Sequence, residues 1–326
     1  MKRFLIIQTA FIGDVVLATP LIEKLHTFYP NSQIDFLLRK GNEGLLINHP
    51  FITNLLVWDK KKNKKKNLIQ IVKQIRATKY DYVINLQRFA STGIITALSG
   101  GKNKVGFNKN PFSFLFTKKV KHEIANGKHE VERNIELISD ITDNGLCKPK
   151  LYPTEKDFQL ISQYKSQPYI CIAPTSVWFT KQYPKEKWVE LINQVDPAYL
   201  IYLIGGPDDT NACDEIISLS KRNNLINLCG KLSFLQTCAL LVDAKMNYVN
   251  DSAPMHMASA TNAPVTAIFC STIPSFGFGP LSDISRVVET SEKLDCRPCG
   301  LHGFRKCPKG HFNCAYSIKT NFFITK

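Results

Sequence analysis

Short, uninterrupted apolar runs alternate along the chain with longer stretches whose apolar residues recur every three or four positions. The first run, within residues 3–7, lacks polar alternation, as expected for a strand covered on both faces of a parallel sheet. Gln33–Leu38, Asn54–Val57, Tyr82–Leu86 and Lys104–Phe107 read as further strands. Between them, Val15–Ile22 and Leu68–Arg76 read as helices, and another helix opens at His129–Asn134 and runs to about Asp140. A polar connector containing Lys and Pro follows at 145–167, with a helix starting near Thr154. The alternation then begins again. Strands are expected at 169–173, 200–204, about 225–228, 247–250 and 265–269, with helices at 185–194, 211–222, 234–243 and 255–261. This order predicts an α/β chain of two doubly wound domains, 1–160 and 161–326, with a cleft between them.

Several of these strands end in turns suited to anions. Met246–Ala260 runs from a strand through Asn250-Asp251-Ser252-Ala253-Pro254 into a helix at Met255-His256. Such a turn points backbone N–H groups and the positive end of a helix dipole at a ligand, and open α/β sheets bind ligands at the carboxyl ends of their strands. Two other segments end in similar fashion. IAPTSVWFTK (172–181) offers the hydroxyls of Thr175 and Ser176 and the ammonium of Lys181, a set that suits pyrophosphate. IYLIGGPDD (201–209) offers a sharp turn and two acids, Asp208 and Asp209, either of which could accept ribose hydroxyls. His256 reads either as a phosphate donor or as a buried, satisfied imidazole. Near the N-terminus, Asp14 follows the turn Thr9–Gly13 and reads either as a first-turn helix acid or as a catalytic carboxylate. Arg88, after the fourth strand, suits a carboxylate or phosphate. The chain has no Walker A motif, and no G-x-G-x-x-G follows the first strand, so ordinary ATPase and NAD-dependent chemistry fit poorly.

Composition adds a partner class. Forty-two Lys and Arg against 27 Asp and Glu give a net charge of +15, which favours an anionic partner. Lys60–Lys66 holds six lysines and one asparagine, suited to a solvated loop or helix start and also to anionic lipid headgroups. The basic residues are not interleaved with aromatics in a nucleic-acid-binding module, so no nucleic acid is expected. The N-terminal apolar patch meets Gln8 and Thr9 too early for a signal peptide, and no apolar run reaches the ~18 residues that span a bilayer. A cytoplasmic protein is expected. Of the ten cysteines, Cys296, Cys299, Cys307 and Cys314 form C-x2-C-x7-C-x6-C. Only the first pair has the short spacing of a zinc knuckle, so reduced structural thiols fit better than a metal site.

FLIIQTAFIGDVVLATPLIEKL, IAPTSVWFTKQYPKEKWVELI, LIGGPDD, the stretch from CGKLSFLQ to FCSTIP, and CRPCGLHGFRKCPKGHFNC follow one another in an order that resembles glycosyltransferase family nine, the lipopolysaccharide heptosyltransferases. The resemblance covers nearly the whole chain. It implies a GT-B fold, two Rossmann-like doubly wound domains facing across a cleft, with the acceptor in the N-terminal domain and the nucleotide sugar in the C-terminal one. It also implies that the last helix packs back on the N-terminal domain. The family's general base matches Asp14, its phosphate-binding hydroxyls and lysine match Thr175, Ser176 and Lys181, and its ribose-binding acid matches Asp208, with Asp209 as the neighbouring alternative. Its D-[ST]-G-x-M-H turn falls on Asp251, Ser252, Ala253, Pro254, Met255 and His256. Ala253 stands where glycine is usual, and alanine tolerates positive φ poorly. Asn85 stands where Asp is common. The implied reaction is inverting, metal-independent transfer of a heptose or similar sugar from an ADP-sugar such as ADP-heptose to the lipopolysaccharide inner core, without a cofactor. Arg88, Arg133 and the lysine run are the candidate acceptor contacts, and that run permits peripheral attachment to the inner face of the cytoplasmic membrane. The alternatives are a nucleotide-sugar hydrolase or epimerase, and a non-catalytic binding protein on the same scaffold.

Overall fold

The computed structural model describes residues 1–321. The chain divides after Tyr152 into two units.

The first unit runs β1 (Arg3–Ile7), α1 (Ile12–Val16), α2 (Thr19–Phe28), β2 (Gln33–Arg39), β3 (Asn54–Trp58), α3 (Lys64–Thr78), β4 (Tyr82–Asn85), α4 (Ala90–Leu98), β5 (Asn103–Phe107), β6 (Lys118–Val120) and α5 (Glu130–Glu136). Its six strands are parallel in the order β3-β2-β1-β4-β5-β6. Central β1 is fully buried from Phe4 to Ile7, which explains its uninterrupted apolar run. The segment Val15–Ile22 is two helices rather than one. Pro20 has no N–H to return to Val16, and the Thr19 hydroxyl donates to the Val16 carbonyl at 2.8 Å instead. Helix α3 begins inside the lysine run and buries only Ile71 and Ile75.

The second unit opens with α6 (Glu155–Ile161), which packs on a later helix of the same unit, so the connector's helix belongs here. It continues with β7 (Tyr169–Ala173), α7 (Lys185–Gln194), β8 (Leu200–Leu203), α8 (Thr210–Leu219), β9 (Leu225–Asn227), α9 (Phe234–Asp243), β10 (Asn247–Asn250), α10 (Ala253–Ala260), β11 (Val265–Phe269), β12 (Ser285–Glu289) and α11 (Asn313–Tyr316). Its strands are also parallel, in the order β12-β11-β10-β7-β8-β9. In both sheets, therefore, the first strand of the unit lies between its second and fourth. That neighbourhood is the switch point where doubly wound sheets open a crevice. The last described helix, α11, lies in the core of its own unit, where Phe312, Cys314, Ala315 and Ile318 meet Tyr183, Trp188 and Cys270. Any helix formed by residues 322–326 lies outside the described residues.

Candidate active site

In the first unit, β1 ends at Ile7 and the chain turns through residues 8–11 into α1, whose third residue is Asp14. Its carboxylate Oδ2 accepts the Phe11 N–H at 3.1 Å, the bond of a first-turn acid. The environment does more than cap. Burial and then the negative charge of Glu130 push this carboxyl up to about 6, against the pull of the backbone donors and of Arg39. Glu130 stays ionised for the opposite reason. Burial would raise its pKa, but His122 Nε2, 3.3 Å away, and Arg133 Nε, at 2.7 Å, more than offset that and hold it low.

Neighbouring strand ends supply the rest of this cluster. The Thr9 hydroxyl donates to Gln87 Oε1 at 2.7 Å, linking the Asp14 turn to the loop after β4, and Asn85 Oδ1 accepts the Gln87 N–H at 2.9 Å. Arg88 is exposed on that loop. Arg133 is different. It is only 1% exposed and donates to Glu130 and, at 2.5 Å, to the Lys128 carbonyl, so these bonds are spent inside the unit, where they hold Glu130 in place. Two cations were not singled out by sequence reasoning. Lys60 Nζ donates to the Thr9 carbonyl at 2.8 Å, and burial, then Arg39 and Lys64, lower its ammonium to about 8. Arg39, at the end of β2, lies 4.9 Å over the Phe11 ring. The only signal for either was its position at a strand's carboxyl end.

In the second unit, the loop after β7 carries Thr175 and Ser176, both half-buried. Asn250, the last residue of β10, donates to the Thr175 carbonyl at 3.4 Å and accepts the Tyr183 N–H at 2.9 Å, joining this loop to the strand across the switch point. Lys181 ends the short 3-10 turn Phe179–Lys181, and its Nζ lies 2.7 Å from Asp251 Oδ2. The Thr272 hydroxyl donates to that same oxygen at 2.6 Å. Ser252 is the N-cap of α10, although its hydroxyl donates to Asn250 O at 3.4 Å and does not cap the helix. His256 is buried in the first turn of α10. Met255 is completely buried. Ala253 is the first helical residue and is not among the positive-φ positions, so the missing glycine leaves no strain here. Of the two acids after β8, Asp209 is committed to its turn through the Gly206 N–H at 2.7 Å, while Asp208 is exposed.

The cysteine-bearing segment braces this cluster. The Phe304 N–H donates to Thr180 Oγ1 at 2.7 Å, and Ser271 Oγ donates to it at 3.0 Å. Gly303, at φ +75°, lies so close that a Cβ would sit 2.7 Å from the same hydroxyl. Cys296 Sγ lies 3.9 Å from His311 Nε2, and among the described residues no three His, Cys, Asp or Glu side chains form a metal-ligand set.

The model of glycosyltransferase family 9 (heptosyltransferase) matches residues 68–302. The chain belongs to this family. It is 28% identical over 277 residues to lipopolysaccharide heptosyltransferase 3 of Escherichia coli, covering 80% of this chain and 82% of that one. Among solved structures, a family 9 glycosyl transferase from Veillonella parvula superposes with a TM-score of 0.81 at 23% identity, covering 89% of this chain and 86% of that one. E. coli ADP-heptose LPS heptosyltransferase II superposes with a TM-score of 0.79 at 22% identity, covering 92% and 96%. The fold of this family 9 glycosyltransferase is GT-B. No helix among its described residues is long and apolar enough to cross a membrane.

Proposed function

We propose that this glycosyltransferase moves a heptose, with inversion, from ADP-heptose to the lipopolysaccharide inner core. The observation that carries the reading is the Asp14 carboxyl, raised to about 6 at the end of the first strand. Such a group is ionised at neutral pH and basic enough to take the proton of a sugar hydroxyl as that oxygen attacks the anomeric carbon. Met1–Tyr152 then serves the acceptor, and the unit beginning at Pro153 serves the donor. Arg88 contributes to acceptor binding, where the core's phosphates and acid sugars meet a chain of net charge +15.

Thr175, Ser176, Lys181 and the N-terminus of α10, with His256 in its first turn, receive the pyrophosphate and stabilise it as it leaves, without a metal. Asp208, the exposed acid, takes the ribose hydroxyls. Asp251 holds Lys181 in place at 2.7 Å. The names of the relatives, lipopolysaccharide heptosyltransferase 3 and ADP-heptose LPS heptosyltransferase II, support this donor and acceptor. The enzyme works at the cytoplasmic face of the inner membrane, attached peripherally.

Calorimetric titration with ADP, GDP, UDP and CDP, with and without Mg²⁺, tests the donor. Selective, metal-independent binding of ADP is expected, and preference for another nucleotide would discard ADP-heptose. The Asp14→Ala variant is expected to lose turnover and keep its ADP affinity. Loss of ADP binding in that variant would remove the base role.

A further inference from the structure

From Tyr82 to His122 the sequence contains seven cations and no acid. This acid-free segment carries an exposed apolar prominence that the chemistry above does not use. The crossover from β5 to β6 presents Phe114, 70% exposed, and Leu115, 48% exposed, with the Phe112 and Phe114 rings stacked at 6.2 Å. Exposed Lys109 and Lys119 flank it in sequence, and Lys121 beyond them pairs with Glu123 at 2.6 Å. The loop after β4 adds exposed Phe89 and Arg88.

These two loops are fixed to each other. The Asn110 side chain donates to the Gln87 carbonyl at 2.8 Å and the Phe89 carbonyl at 3.1 Å, and it accepts the Phe112 N–H at 3.0 Å. Gly93 permits this approach, because a Cβ there would lie 2.1 Å from Asn110 Oδ1. The apolar side chains are thus held out on a braced turn. Exposed aromatic and aliphatic groups of this kind, flanked by more cations than acids, suit the boundary of headgroups and acyl chains.

We propose that Phe114 and Leu115, framed by Arg88, Lys109 and Lys119, dock this enzyme on an anionic phospholipid bilayer. The inference rests on the peripheral attachment proposed above and not on the identity of the donor. Charge complementarity selects the occupant. A second copy would bring the same cations to the contact, and like charges face to face oppose association. Anionic lipid attracts each lysine or arginine near its surface, and the apolar pair adds burial that salt does not screen. The lysine run at 60–66 follows β3 at the opposite edge of this sheet and offers charge with the single exposed apolar side chain of Ile69 in the helix that begins within it.

Co-sedimentation with phosphatidylcholine vesicles, with and without phosphatidylglycerol, tests the surface. The intact protein is expected to sediment with the anionic vesicles only and to keep part of that binding at high salt. The double variant Phe114→Ser/Leu115→Ser, altered only at exposed positions, is expected to partition roughly tenfold less and to lose the salt-resistant part. Its circular dichroism spectrum and melting curve should match those of the intact protein, which shows that the unit carrying the two substitutions is folded. If the intact protein does not bind anionic vesicles, both the attachment and this surface are overturned. If the double variant binds like the intact protein, the attachment stands, this surface is overturned, and the lysine run takes its place. If light scattering shows that the double variant changes self-association and not vesicle binding, the surface belongs to a second copy and the proposal is overturned.

Discussion

Asp14→Asn should make the protein inactive and, at neutral pH, more stable. The carboxyl ionises near its ordinary 3.8 in the unfolded chain and at about 6 in the folded one. Between those values the unfolded chain has lost its proton while the native state keeps it. Stability therefore falls as pH rises through this window, and the full cost is present above the folded value. At about 1.36 kcal/mol per pH unit, the ionised carboxylate costs the native state about 3 kcal/mol. Asparagine is never charged and can still offer an oxygen to the Phe11 N–H, although the weaker cap gives back about 1 kcal/mol. The net gain of about 2 kcal/mol corresponds to a rise in Tm of about 4–8 °C for a unit of this size. Scanning calorimetry of both proteins at about pH 8 and about pH 4 isolates this group, because every other carboxylate is common to the pair. The variant should melt higher at the alkaline value and no higher at the acid one, while acceptor-dependent release of nucleotide disappears. Equal destabilisation at both pH values would refute the reasoning, as would retained turnover.

The pH dependence of kcat/KM should fall on the acid side with a midpoint at about 6, because only ionised Asp14 can take a proton; a profile flat to pH values well below that would remove the base assignment. Lys181→Ala should weaken ADP binding by about ten- to a hundredfold, read by calorimetry, through loss of a charge-assisted bond to phosphate. The same change leaves Asp251 buried without its cation at a cost of about 3–5 kcal/mol. Adding Asp251→Asn should restore stability in denaturant unfolding and leave ADP affinity low. Gly303→Ala should cost about 1–3 kcal/mol in the same assay, since the new methyl group meets Thr180 Oγ1 at 2.7 Å and the backbone sits at φ +75°; an unchanged midpoint would show that the segment does not brace Lys181.

The alternation of strands and helices is legible because central strands of a doubly wound sheet are covered on both faces and so read as unbroken apolar runs. Two of the four edge strands, β6 and β12, escape the same reasoning. β6 is Lys-Lys-Val and β12 is Ser-Arg-Val-Val-Glu, and neither is buried enough to need an apolar signature. Residue type at a strand end is legible for the same topological reason, and Asp14, Thr175, Ser176, Lys181 and Asp251 all follow strands next to a switch point. What sequence cannot supply is which way a side chain's bonds are spent. Asp208 and Asp209 are chemically identical neighbours, yet one oxygen of Asp209 is taken by Gly206. Arg133 and Arg88 both read as acceptor contacts, but Arg133 is fully buried against Glu130. Lys60 reads as one of six similar lysines until the Thr9 carbonyl singles it out.

The two halves share a strand order but manage buried charge in opposite ways, and the difference suits the role proposed for each. A base must be reluctant to stay ionised, and in the first unit Asp14 has no close cationic bond, is hydrogen-bonded to backbone and is repelled by Glu130, whose own partners are His122 and Arg133. A phosphate site needs a cation held at low cost, and the second unit pairs Lys181 with Asp251 and steadies that acid with Thr272. Reversing either arrangement would fail. A lysine bonded to Asp14 would lower its pKa and weaken the base, while a Lys181 without Asp251 would carry the cost of its burial uncompensated.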